Sequence, residues 1–173
     1  MLRKLKFIPI ILYPYAYIPI LIFYSEVIAK KYDSSESLLY TIILCNALFL
    51  FCSIYCAVKA LSINNTNKSV VKTNLVIKLL HVPAYLIHFI LGLLGLCMSI
   101  WGIGLIVWAV IIDILSILIS GIYSIGCCIR VYRDRLISLP ICLLCIIGSF
   151  TFCLDIVVAF ILNKIVKRSY ECY

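Results

Sequence analysis

Residues 79–129 run for 51 positions with a single formal charge, Asp113. A helix rises about 1.5 Å per residue, so one unbroken helix of that length would span more than twice the roughly 30 Å hydrocarbon layer of a bilayer. The stretch must therefore fold back on itself. The natural place is "SIWGIG", residues 99–104, where two glycines weaken the helix and Trp101 suits a membrane interface. This gives one expected span over residues 79–99 and another over 103–127. Composition supports lipid as the solvent: the chain is 65% hydrophobic and only 13% charged, where a soluble domain is roughly 45–50% apolar and about 25% charged.

Three more apolar runs occupy residues 7–29, 38–58 and 137–163. The expected fold class is all-α, a polytopic transmembrane helical bundle of five spans forming a single integral membrane domain over residues 1–173. The alternative is four spans plus one re-entrant or interfacial segment. Ser138 is the expected cap of the last span, with Pro140 in its first turn. Residues 61–74, "LSINNTNKSVVKTN", read as a polar linker.

The net charge of +8 resides in short basic clusters between apolar runs. Such clusters are topology signals and attract anionic headgroups. No basic stripe lies on a soluble face, so nucleic acid is not an expected partner. With a cytoplasmic N-terminus, five spans place ten Lys and Arg inside and five outside, the five being Lys30, Lys31, Lys164, Lys167 and Arg168. A re-entrant last segment would bring the inside count to thirteen. The expected localisation is the cell membrane, multi-pass, with membrane lipids as partners and another membrane protein or a second copy as a further partner.

Polar residues recur at helical spacing within the apolar runs. His81, Tyr85, His88, Gly92, Gly95 and Ser99 share one face of the third run. Ala109, Asp113, Ser116, Ser120, Ser124 and Cys127 do so in the fourth, and Gly148, Thr151, Asp155 and Ala159 in the fifth. Asn46, Ser53, Ala57 and Ala60 form a thinner stripe in the second. Small residues allow close helix approach, which accounts for most of these positions. An aspartate at a helix centre costs about 2.5–3.5 kcal/mol to insert, so it faces the bundle interior or water. Counted from the outer helix ends, Asn46, His88, Asp113 and Asp155 fall at similar depth, which makes them the candidate ion- or ligand-binding group. No metal-ligand spacing, catalytic motif or cofactor motif is present, so neither a metal nor a cofactor is expected.

The segment "FIPIILYPYAYIPI", residues 7–20, carries prolines at 9, 14 and 19. They deprive the carbonyls of Leu5, Ile10 and Tyr15 of their helical donors, and in lipid those groups need other partners. The expectation is a retained, kinked first span packed on the bundle, with Tyr13, Tyr15 and Tyr17 supplying hydroxyls.

Eight of the ten cysteines fall in apolar runs, where Cys acts as a small hydrophobe, so no disulfide framework is expected. Cys142-Leu-Leu-Cys145, with "CMSIWGIG" upstream, is similar to vitamin K epoxide reductases and membrane disulfide-generating oxidoreductases. That resemblance implies thiol redox chemistry, but the extracytoplasmic loop cysteine pair of those families has no counterpart here. "KLLHVPAYLIHFILGLLG", Lys78 to Gly95, resembles a stretch of small, functionally unassigned multi-span membrane proteins of low-GC Gram-positive bacteria. The functional expectation is a binding protein of the membrane rather than an enzyme: a transporter component, an ion-handling subunit or a membrane-partner protein. The alternatives are a membrane immunity or resistance protein and an intramembrane thiol oxidoreductase.

Overall fold

The computed structural model describes residues 7–17, 19–20, 35–62 and 66–171. Among them every regular element is helical. Helix α1 (Ile8–Leu12) continues into a tighter 3₁₀ turn, Tyr13–Tyr15. Helices α2 (Ser35–Ala60), α3 (Asn67–Cys97) and α4 (Ile103–Arg133) follow, then two shorter helices, α5 (Leu139–Gly148) and α6 (Leu154–Glu171). Helices α2, α3 and α4 are each long and apolar enough to cross a membrane. The outer part of the first expected span, residues 21–29, lies outside the described residues.

Helices α3 and α4 form the central antiparallel pair. They are joined by the short turn Ser99–Gly102, in the place expected from "SIWGIG". Ser99 takes a left-handed backbone, φ 56°. The turn closes because Gly102 lies directly on the Gly95 backbone, and a Cβ at Gly102 would occupy the same space. Helix α2 runs parallel to α4: Ser53 donates to the Ile119 carbonyl, Ala57 lies against Gly126, and Arg130 reaches the Ala60 carbonyl. A Cβ on Gly126 would come within 2.8 Å of the Ala57 carbonyl oxygen, so this glycine sets how closely α2 and α4 approach.

Two expectations are corrected here. The linker 61–74 ends early, because Thr66 caps α3 by accepting from the Ser69 amide at 3.3 Å, and residues 67–74 are helical. The run 137–163 is not one helix. It breaks at residues 149–153, where Cys153 takes a left-handed backbone, φ 65°. Helices α5 and α6 then form an antiparallel hairpin. Gly148 faces Val158, while Ile141 and Ile165 border the same cavity. The two pairings have the same residue-number sum, as antiparallel strands of helix require. The hairpin therefore rises from the Arg133 end of α4, rests Phe150 on Gly121, and returns to that end. Helix α5 has Pro140 in its first turn as expected, but the Ser138 hydroxyl makes no capping bond.

The buried core gathers Ile10 and Tyr13 from the first segment, Val71 and Ile77 from α3, Tyr123 and Val131 from α4, and Leu162 and Val166 from α6. Large apolar residues on the outer faces of α2, α3 and α4 stay exposed, among them Phe51, Phe89 and Ile114. That is the inverse of a soluble protein's surface and fits a lipid environment.

Candidate functional site

Helix α3 carries a polar column along the face it turns to α4 and α6. Its members are Asn67, Asn74, Lys78, His81, Tyr85 and His88, all buried and spaced by one or two helical turns. The stripe read from His81 onward thus continues backward through residues assigned to a linker. Antiparallel α4 supplies matching partners. Arg130 Nε donates to Asn67 Oδ1 at 2.8 Å, and the Ser124 hydroxyl donates to Asn74 Oδ1 at 2.9 Å. The Lys78 ammonium donates to Ser120 Oγ at 2.8 Å. His88 Nδ1 donates to Asp113 Oδ1 at 2.6 Å.

Asp155 meets this column from the start of α6. Its Oδ2 lies 3.0 Å from Lys78 Nζ, and both side chains are 0% exposed. The contact is a buried ion pair. Asp155 Oδ1 accepts from the Ile156 amide at 2.8 Å. Two charges brought out of water need this mutual neutralisation, since each alone would cost several kcal/mol.

The four residues singled out from sequence do not form one cluster. His88 and Asp113 are joined directly. Asp155 pairs with Lys78, which sits ten residues before His88 and so about 15 Å along α3. Asn46 belongs to a third group, in which its Oδ1 accepts from Tyr13 and from Tyr17, the latter at 3.1 Å. Its side-chain amide donates to the Ile42 carbonyl of its own helix at 2.8 Å. Lys78 is the residue that sequence reading missed. Its signal was its register: it lies three residues before His81 and four after Asn74, on the polar stripe.

The proline segment is tied in by the same column. The Ile10 carbonyl, deprived of a donor by Pro14, accepts from His81 Nε2 at 2.9 Å. Tyr15 donates to the Leu80 carbonyl at 2.8 Å, next to the Leu79 carbonyl that Pro83 leaves without its helical donor. The Tyr13 and Tyr17 hydroxyls also lie within hydrogen-bonding distance of one another, so their two protons are shared among three oxygens. Leu5 lies outside the described residues.

Among the described residues, four buried side-chain atoms have no hydrogen-bond partner: Asn74 Nδ2, His81 Nδ1, Tyr85 Oη and Asp155 Oδ2. Three of them stand on the α3 column, and the fourth belongs to the carboxylate paired with Lys78. The upper end differs. His88 and Asp113 border a groove of about 260 Å³ whose walls include Phe89, Leu93, Leu96, Ile106, Val110 and Phe152. The Asp113 side chain keeps 18% exposure there. Trp108 meets the His88 ring edge-on, centroids 5.8 Å apart, and holds its plane. With Nδ1 committed to Asp113, Nε2 is the ring nitrogen available to a ligand. Gly92 also lines the groove, and a Cβ there would meet nothing within 4 Å.

Cys142 and Cys145 are buried, as are Cys127 and Cys128, and every described cysteine is free. Reactive thiols sit in partly exposed electropositive surroundings, which these lack. Among the described residues no three His, Cys, Asp or Glu side chains are grouped to hold a metal. Set against protein-family models, curated proteins and solved structures, the chain matches none.

Proposed function

We propose that the chain is a multi-pass membrane protein that works by binding, as an ion-handling subunit or transporter component. His88 and Asp113 are the groups that meet the bound species. One observation carries this reading: a hydrogen-bonded His–Asp pair borders a groove with otherwise apolar walls. Ionisable residues inside a membrane are costly, and where retained they mark ion, proton or substrate paths. The column below the pair favours the same reading, because buried polar side chains continue from His88 along one face of α3 to Asn67.

In the arrangement we favour, the first segment and α2, α3 and α4 cross the bilayer, and the α5–α6 hairpin is re-entrant. Helix α5 is about 15 Å long at 1.5 Å per residue, half of a hydrocarbon layer. The N-terminus is then cytoplasmic and the basic C-terminal helix end joins it on that side.

The test uses the purified chain in phosphatidylcholine–phosphatidylglycerol vesicles under imposed H⁺, Na⁺ or K⁺ gradients. A dye inside reports flux. Asp113→Asn keeps size and hydrogen bonding and should fold yet lose flux. Gly92→Leu should also lose it by filling the groove without touching the pair. Vesicles carrying the wild-type chain that pass none of the three ions faster than empty ones overturn the ion-handling reading.

A further inference from the structure

We infer that the basic end of the bundle holds a binding site for an anionic glycerophospholipid, its phosphate on Arg133 and Arg135 and an acyl chain against Ile141 and Ile165. The site is separate from the His88–Asp113 groove and rests only on the chain lying in a bilayer. Helix α4 ends in a Schellman turn: the Arg135 amide donates to the Tyr132 carbonyl at 2.8 Å and the Leu136 amide to the Val131 carbonyl at 3.1 Å. The turn forces Arg135 into a left-handed backbone, φ 56°. Glycine is the usual residue at that position, because an L side chain is strained there. A long charged side chain in a glycine position points to a role for the side chain itself.

Arg135 lines a cavity of about 610 Å³ between the end of α4 and the α5–α6 hairpin. Arg133 and the uncapping hydroxyl-bearing residue Ser138 share its polar rim, and Ile141 and Ile165 share its apolar wall. No carboxylate lines it. Asp134 lies 3.3 Å from Arg130 and 3.8 Å from Arg133, while Arg135 makes no ion pair among the described residues. A guanidinium pair beside an apolar slot, at the end of an apolar helix, complements a lipid phosphodiester with its acyl chain. A soluble phosphate would leave the slot unused.

The experiment is native mass spectrometry of the full chain in neutral detergent, titrated with phosphatidylglycerol, phosphatidylcholine or inorganic phosphate. Phosphatidylglycerol should bind several-fold more tightly than phosphatidylcholine. Arg135→Gly should weaken it by about fivefold, the worth of one arginine near an anionic headgroup. The same variant should melt no lower than wild type without lipid, because glycine relieves the left-handed strain. Arg133→Gln should weaken binding comparably, and Lys72→Gln, on an exposed face of α3, should not. Equal binding of the two lipids, unchanged binding by both arginine variants, an equal loss with Lys72→Gln, or displacement by inorganic phosphate would each overturn the lipid site.

Discussion

Lys78 shows what a single side chain decides in this bundle. It stands between Asn74 and His81 on a face of α3 that is otherwise occupied by neutral polar groups, and among the described residues its charge is matched by Asp155. Removing one member of a buried ion pair strands the other, at a cost of about 3–5 kcal/mol, whereas replacing both by apolar residues is often neutral or stabilising. Lys78→Met and Asp155→Leu should each lower the unfolding free energy in detergent by about that amount, and the double variant should recover most of it. Two additive losses would mean that the charges are solvated separately. The periodic stripe made the column legible from His81 onward. Lys78 was not legible, because a lysine at the edge of an Asn- and Lys-rich stretch reads as a loop cation until the helix is known to begin at Asn67. The depth match of Asn46, His88, Asp113 and Asp155 joined only His88 to Asp113. Depth says nothing of which face a residue occupies: Asn46 turns to Tyr13 and Tyr17, and the break at residues 149–153 sets Asp155 at the start of a separate helix, beside Lys78.

At the level of elements, the proline segment and α3 are held together by a carbonyl that proline set free. Pro14 removes the donor to the Ile10 carbonyl, and His81 replaces it. A buried carbonyl left unmet costs about 1–3 kcal/mol. His81→Phe should therefore destabilise the wild-type chain by about this much. In a Pro14→Ala background the restored amide can serve Ile10, and His81→Phe should cost markedly less. A double-mutant cycle on thermal unfolding reads this coupling, and a coupling near zero would remove the proposed substitution of histidine for amide. The turn Ser99–Gly102 makes a second element-scale case. Gly102→Ala should separate α3 from α4 at their tip, seen as a loss of cross-linking between cysteines placed at residues 92 and 109, which border one groove and where residue 92 has room for a side chain. Both features were legible in the sequence, since proline and glycine advertise their backbone demands. The break between α5 and α6 was not. Residues 149–153 read "SFTFC", with no glycine or proline among them, and the left-handed residue is a cysteine. An apolar run of 27 residues therefore passed for one helix.

At the scale of the whole molecule, that break decides where the chain ends. One continuous crossing over 137–163 would carry Lys164, Lys167 and Arg168 to the face opposite Arg130, Arg133 and Arg135. The hairpin instead brings Ile165 back to the cavity lined by Arg133 and Arg135. The basic residues of α4's end and of α6 then lie at one end of the bundle, with Lys59, Lys68 and Lys72 at the facing ends of α2 and α3. The opposite turn, Ser99–Gly102, carries no charge. Positive charge is retained on the cytoplasmic side during insertion, and short basic loops weigh most. Both termini should accordingly be cytoplasmic. A green fluorescent protein fused after Tyr173 should fluoresce in cells, and alkaline phosphatase at the same point should be inactive. Phosphatase inserted in the Ser99–Gly102 turn should be active. An active phosphatase after Tyr173, together with a dark fluorescent fusion, would mean that α5 and α6 together cross the membrane. The hairpin would then have to open, Lys78 and Asp155 would part, and the basic cavity between α4, α5 and α6 would not exist in the bilayer.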